Sequence, residues 1–472
     1  MSLFEDLQQV VGEEFVLSGE EATPFLTDWR GRFTGKALAV VRPANVEEIA
    51  DVVRLCQQYV TPIVTQGGNT GLCGGATPGN KGDAVVLLTN RLNNIIAIDT
   101  DNDTITVEAG CILQTIQTAA EEVGRLFPLS LASEGSCTIG GNLATNAGGT
   151  QVVRYGNARD LTLGLQVVTA EGEIWNGLKG LRKDNTGYDL RDLFIGSEGT
   201  LGIITAATLK LFPKPQAIRT ALLAIKDVDA AVHVLSVLKQ GFGSLLTGFE
   251  LISSFCIESV RQHLPTVKIP FEVNKSPWYV LIEISDHEDQ DHANQLVEKV
   301  IGNAIEQGVV QDAIIAQTVQ QSNDLWHIRE SIPFAEIKVG KGIKHDIAIP
   351  ISQVSAFIEQ TNALLQERFP GVQHIVFGHL GDGNLHYNVG APDGQEEGFL
   401  DLQKEMNTIV YDSVARFDGS ISAEHGIGQL KKDILPDYKD EIGLALMRKI
   451  KRALDPNAIL NPGKVISSVE LY

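Results

Sequence analysis

The chain is expected to be an α+β protein with two dissimilar regions and a short helical tail. Three observations lead there: glycines crowd between Gly67 and Gly202, all ten histidines lie at or after His233, and short apolar strands alternate with helical periodicities throughout. At 472 residues the chain is long enough for two or three domains with a sizeable core. Its formal charge of −21 argues against nucleic acid or an anionic membrane surface as a partner. No apolar run approaches the length of a bilayer span. The first fourteen residues carry four acids and no Lys or Arg, unlike a secretory or mitochondrial leader, so a cytoplasmic location is expected. Cys56, Cys73, Cys111, Cys137 and Cys256 are dispersed and odd in number. They indicate neither a disulfide framework nor a thiolate zinc site, and a reducing compartment suits them.

In chain order, residues 37–41 form an apolar strand ending before Pro43. Asn45 and Glu48 then make a box-like helix start. Ile49, Val52, Val53 and Cys56 recur at helical spacing, which predicts a helix with one buried face. A strand at 62–64 opens into glycine-rich residues 66–75. Further strands are expected at 84–88 and 95–107, the latter broken at 101–103, and a helix at 113–123. Residues 212–215 hold two prolines and mark a boundary. Beyond it come strands at 221–225 and 278–284 and helices at 228–239 and 291–307. The tail holds a helix at 444–454. The domains expected are thus 1–215, 216–418 and 419–472.

Two glycine-rich segments, 67–75 and 135–149, form a possible pair. Glycines let backbone N–H groups crowd an anionic oxygen, and Thr, Ser and Asn add neutral donors. Glu134 at the edge of the second is their only nearby acid. Neither matches the P-loop pattern, and no strand-borne Gly-x-Gly-x-x-Gly with a following acid is present, so phosphate-loop hydrolases and Rossmann nicotinamide sites are unsupported. In a third segment, 182–204, Gly196, Gly199 and Gly202 fall every third residue, which suits a turn lying flat against a ring or ribose. A tight structural turn is the alternative for each segment alone.

Residues 376–389 place His379 and His386 symmetrically about Asp382 and Gly383. If Asp382 and Gly383 make a two-residue turn, the imidazoles face each other directly across a hairpin, and Asn388 shares their face. That reads as a metal-binding hairpin, with half-buried structural histidines as the alternative. Glu424 and His425, adjacent in the chain, supply a further carboxylate and imidazole.

The order of the three glycine segments, with the His-x-Gly-Asp-Gly-Asn-x-His hairpin and Ala-Glu-His-Gly behind them, resembles the FAD-dependent D-2-hydroxy-acid dehydrogenases. That family includes D-lactate dehydrogenases, the glycolate oxidase flavin subunit and D-2-hydroxyglutarate dehydrogenase, and the likeness is nearest the last. It covers nearly the whole chain. It implies an FAD-binding domain of the vanillyl-alcohol oxidase (p-cresol methylhydroxylase) type, an antiparallel-sheet substrate domain, and a C-terminal segment packed back beside the flavin.

By the same resemblance the FAD diphosphate rests on Gly67, Gly68, Asn69, Thr70 and Gly71, and on Thr138, Gly140, Gly141 and Asn142. Gly148 comes near the flavin and residues 199–204, with Gly199 and Ile204 at the ends, near the adenosine; Leu72, Pro128, Gly135, Thr145, Glu198 and Asn461 complete the cofactor set. No histidine occupies the first loop, so the FAD is expected to be non-covalent. His379, His386 and Glu424 are implied to hold a divalent metal with positions left open for substrate, expected to be zinc, although His-His-Glu is also a non-haem iron set. His425 is the implied base for the substrate hydroxyl. Arg329, Lys344 and Asn388 are the implied substrate-binding residues, Arg329 suiting bidentate carboxylate binding. Pro333 stands where relatives carry a hydroxyl residue that contacts a distal carboxylate.

The activity expected is oxidation of D-2-hydroxyglutarate to 2-oxoglutarate, with D-lactate, D-malate or glycolate as alternative substrates. A quinone, an electron-transferring flavoprotein or a cytochrome is the expected electron acceptor, and a homodimer is left open. A hydrolase is unsupported, because no Gly-x-Ser-x-Gly elbow is present.

Overall fold

The computed structural model describes residues 2–272 and 276–467. Backbone contacts divide the chain into two compact units. The first comprises residues up to 148, 156–214 and from 424 on; the second comprises 149–155 and 215–423. The second unit therefore takes a short piece, 149–155, from within the glycine-rich region, and it ends at Ala423, five residues beyond the expected 418.

Among the described residues the first unit holds three sheets, the smallest an antiparallel pair of Arg125–Leu126 and Phe212–Pro213. A four-stranded sheet runs in the order Val16–Leu17, Ala39–Val41, Val85–Leu88, Ile63–Gln66, with the last three strands parallel. The helix Val46–Gln58 follows Ala39–Val41 as a crossover. Asn45 caps it by accepting from the Glu48 N–H at 2.8 Å, and the Glu48 carboxylate accepts from the Ala44 N–H at 2.7 Å. Ile49, Val52, Val53 and Cys56 are wholly buried against the sheet, as their spacing predicts. A five-stranded antiparallel sheet has the order Ile95–Asp99, Thr104–Glu108, Ile203–Lys210, Thr162–Val168, Ile174–Gly177.

The helix Glu441–Leu454 leads the tail into this unit. The buried Lys451 ammonium donates to the carbonyls of Thr200 at 2.6 Å and Leu460 at 2.8 Å and pairs with Asp455, which in turn accepts from the N–H groups of Ile459 and Leu460. This network delivers Leu460 to a parallel bridge with Ile63, so the tail extends the edge of the four-stranded sheet.

The second unit is built on one antiparallel sheet in the order Asp312–Ile315, Ala217–Ile225, Trp278–Asp286, Leu246–Ser253, Gln373–Gly378, Asn384–Gly390, Gly342–Ile343, with Asp346–Ala348 also paired to Asn384–Gly390. The helices Ser254–His263 and Val319–Val339 cover one face, where Leu222, Ile252, Tyr279, Leu281 and Phe377 share a core with Cys256, Ile328 and Ile332. The alternate strand residues Leu223, Leu251, Val280 and Ile282 are buried as well, so both faces are covered. Among the described residues no helix is long and apolar enough to cross a membrane. All five cysteines are buried, and none is in a disulfide.

Glu283 is half-buried in the strand Trp278–Asp286, and its carboxylate accepts from the Trp326 indole N–H at 2.8 Å. Burial pushes its carboxyl up to about 7, against which the indole hydrogen bond acts. The folded pKa is raised, so its contribution to stability is complete below about pH 4.5 and is lost as pH rises through about 7. Glu283→Gln keeps an acceptor for Trp326 and does not titrate. Relative to the parent it should gain about 1–2 kcal/mol between pH 4.5 and 8, the partial exposure being allowed for. Thermal unfolding of both proteins across that range checks this, and parallel curves would refute it.

Candidate active site

The glycine segments of the first unit meet in an open cleft. Gly67, Gly68, Asn69, Thr70 and Gly71 form one wall, and Thr138, Gly140, Gly141, Asn142 and Thr145 form the facing one. Glu198, Gly199 and Ile204 come from the third segment. The loops approach so closely that only glycine fits: a Cβ on Gly68 would lie 2.1 Å from the Ser136 carbonyl oxygen, and one on Gly67 would lie 2.2 Å from Thr138 Oγ1.

The buried hydroxyls of Thr65 and Thr138, both on the cleft wall, have no protein partner. Glu198, the lining carboxylate, is spent on the protein itself, accepting from the N–H groups of Ile427 at 2.7 Å and Gly428 at 2.8 Å. Burial pushes its carboxyl up, and the backbone N–H groups act against that. The cleft thus offers neutral donors and no free carboxylate, the chemistry a dinucleotide diphosphate needs, and its residues fit FAD. Gly68→Ala should weaken FAD retention about 5- to 150-fold, the equivalent of about 1–3 kcal/mol of overpacking. Flavin absorbance per chain after gel filtration checks this; full occupancy in dilute protein would refute it.

Five expected cofactor residues do not line the cleft: Leu72, Pro128, Gly135, Gly148 and Asn461. Asn461 instead braces it, donating its amide to the carbonyls of Gly75 at 2.9 Å and Glu198 at 2.7 Å. Gly135 is exposed in a turn, and Pro128 and Gly148 are buried elsewhere. Gly202 and Cys73 line the cleft within the segments expected to do so, while Thr65 and Thr89 are lining residues that sequence reasoning missed. Strand ends and small side chains leave no signal of their own.

His425 lines the same cleft. The chain after it is stitched to the first glycine loop: the Cys73 carbonyl accepts from the N–H of Gln429 at 2.8 Å, and the Cys73 thiol donates to the Gly426 carbonyl at 3.3 Å. Gly428 has φ +51°, and a Cβ there would lie 2.2 Å from the Cys73 carbonyl oxygen, so this approach also demands glycine. Glu424 precedes His425 in the first unit and is half-buried.

In the second unit the histidine hairpin departs from expectation. Phe377, not His379, is the register partner of His386. Of Asp382 and Gly383 only Gly383 has positive φ, at +87°, so the two-residue turn that needs both is not formed. The Asp382 carboxylate accepts from the Asn384 N–H at 3.0 Å, and the N–H groups of Asp382 and Gly383 both donate to the His379 carbonyl, which widens the connection to five residues. His379 and His386 become diagonal rather than facing neighbours. Their rings still meet edge to face, with centroids 5.6 Å apart.

Sequence reasoning also missed Glu250, in the strand Leu246–Ser253. Its carboxylate lies 2.5 Å from His379 Nδ1 and accepts from Arg329 Nε at 2.8 Å. Burial would raise the Glu250 carboxyl, but the charges and hydrogen bonds of His379 and Arg329 outweigh it and hold it at about 2. A carboxylate on Nδ1 leaves Nε2 as the nitrogen able to ligate, so the donor chemistry of the two imidazoles fits a divalent metal. Arg329 is buried, with its guanidinium carbon 4.7 Å from the Phe377 ring centroid. Lys344 pairs with the buried Glu336 at 2.7 Å. Asn388 is buried and accepts from the His345 N–H at 3.0 Å.

Residues 214–465 match the family described as FAD linked oxidases, C-terminal domain, and residues 37–177 match FAD binding domain. The chain belongs to the FAD-linked oxidase family and is an FAD-dependent oxidoreductase. Among its relatives, D-2-hydroxyglutarate dehydrogenase of Xanthomonas citri pv. viticola is 40% identical over 93% of this chain and 92% of its own. The protein of that name from Stutzerimonas stutzeri is 34% identical over 99% of both. The mitochondrial one of Bos taurus is 37% identical over 98% of this chain and 82% of its own. The solved structure of p-cresol methylhydroxylase superposes with a TM-score of 0.72 at 17% identity, covering 98% of this chain and 96% of that one. That of 4-ethylphenol oxidase from Gulosibacter chungangensis gives 0.73 at 18%, covering 99% and 97%. The fold is therefore the vanillyl-alcohol oxidase/p-cresol methylhydroxylase type, mixed α+β with a large antiparallel sheet.

Proposed function

We propose that this chain oxidises a D-2-hydroxy diacid, D-2-hydroxyglutarate, to the 2-oxo acid. The observation that carries the proposal is the position of His425 on the wall of the glycine cleft that fits FAD. The α-carbon gives up a hydride and the hydroxyl a proton; bound FAD supplies the two-electron acceptor. An imidazole nitrogen of His425 takes the hydroxyl proton. The guanidinium of Arg329, the ammonium of Lys344 and the amide of Asn388 hold and orient the carboxylates. His379, His386 and Glu424 are the residues that would hold a divalent metal, zinc by family likeness, which would supply Lewis-acid polarisation of the hydroxyl. The names of the relatives support the five-carbon diacid.

A monoacid such as D-lactate is the second reading, favoured by Pro333, which offers no hydroxyl to a distal carboxylate. Turnover with an artificial dye acceptor separates the two. A kcat/KM higher for D-2-hydroxyglutarate and D-malate than for D-lactate and glycolate supports the diacid, and the reverse order supports the monoacid.

A further inference from the structure

Every residue of the strand Leu246–Ser253 is buried, and Glu250 in its middle has no exposed surface. A carboxylate in such a place is costly unless both oxygens are satisfied. One oxygen of Glu250 meets His379 Nδ1 at 2.5 Å, and the other accepts from Arg329 Nε at 2.8 Å. The two partners come from different elements, the hairpin connection and the helix Val319–Val339, and both are themselves buried. The register of the Leu246–Ser253 and Gln373–Gly378 strands, with Ile252 opposite Phe377 and Leu251 opposite Gly378, brings Glu250 across from His379 as the next pair.

We propose that Glu250 is a positioning residue that ties the metal-ligand His379 to the substrate-binding Arg329, so that ion and substrate carboxylate are presented in one fixed geometry. The proposal rests on the function proposed above, in which His379 ligates a metal and Arg329 holds a carboxylate. A proton held on Nδ1 by Glu250 leaves the Nε2 lone pair directed away from the strand, with the ring unable to turn. On the arginine, Nε is taken, so the terminal amino groups remain as the fork for an incoming carboxylate, and the Phe377 ring beneath the guanidinium fixes its plane. A purely structural position between Phe249 and Leu251 would be filled more cheaply by an apolar side chain. A charge retained there answers to its two partners.

Glu250→Gln and Glu250→Asp, each in the full chain, test this through three readouts. The first is zinc affinity of the metal-free protein, measured by competition with a chromophoric chelator. The others are FAD per chain, and the separate KM and kcat for D-2-hydroxyglutarate. Glu250→Gln can satisfy only one partner as an acceptor. It is expected to weaken zinc binding about 10- to 100-fold and to raise KM more than it lowers kcat, with FAD per chain unchanged, because the flavin cradle belongs to the other unit. Glu250→Asp keeps the charge on a shorter arm and should fall between; if the glutamine variant does not fold, the aspartate variant carries the test. Zinc affinity and KM both at parent values in a folded variant would overturn the assignment. A parent protein that binds no zinc at all would overturn the underlying functional reading instead, and with it this role.

Discussion

His425→Asn is expected to retain FAD at the parent level while reduction of that FAD by substrate slows by about 10²- to 10⁴-fold, the usual worth of a positioned acid-base group. The expectation follows from where His425 lies. It is on the cleft wall with the glycine loops, and its neighbours make contacts that hold the segment: the carbonyl of Gly426 accepts from the Cys73 thiol, and the N–H groups of Ile427 and Gly428 donate to Glu198. Asparagine should therefore leave those contacts of Gly426, Ile427 and Gly428 intact while removing the imidazole. Single-turnover flavin reduction, with FAD per chain as the control, decides it. An unchanged rate at full FAD content would mean the proton leaves by another route.

Loss of the proposed metal should have an effect of similar size. His386→Ala is expected to abolish stoichiometric metal and to slow flavin reduction about 10³-fold, because Lewis-acid stabilisation of the departing proton's oxygen is worth several kcal/mol and each 1.36 kcal/mol is a factor of ten. His386 is a cleaner target than His379, whose ring also carries the bond to Glu250, so that its loss would leave a buried carboxylate short of a partner. Chelator treatment of the parent should reproduce the defect, and added zinc should restore it in the parent but not in His386→Ala. Metal analysis and rate are read on the same samples. A variant that lost the metal but kept the rate would remove the ion from the chemistry.

Much of this was legible in the sequence where the signal is local. The helix Val46–Gln58 is announced by Asn45 and Glu48 and by apolar spacing, and the structure shows those contacts. The glycine loops were legible because close backbone approach admits no other residue, as at Gly67 and Gly68. What escaped depends on partners distant in the chain. The strand Leu246–Ser253 has a buried glutamate in its centre, and no periodicity within it tells that His379 and Arg329, 129 and 79 residues away, complete the carboxylate. The hairpin was misread because Asp382 spends its side chain on the Asn384 N–H, a local bond that competes with the two-residue turn. Residues 149–155 contact the second unit although they sit among first-unit residues in the chain; their helical turn Val152–Tyr155 packs on the strand Leu246–Ser253. Asn461 was expected at the cofactor, and the structure gives it a bracing task; Glu198 lines the cleft as expected, but its carboxylate is taken by Ile427 and Gly428, in a remote segment.

The most direct measurement is anaerobic mixing of the FAD-loaded protein with D-2-hydroxyglutarate in stopped flow, following the visible flavin absorbance, with D-lactate in parallel and each repeated after chelator treatment. Rapid bleaching by the diacid that slows when the metal is removed is the expected result. Absence of bleaching by either acid in protein carrying full FAD and metal would contradict the proposed oxidation and leave only the fold and the flavin site in place.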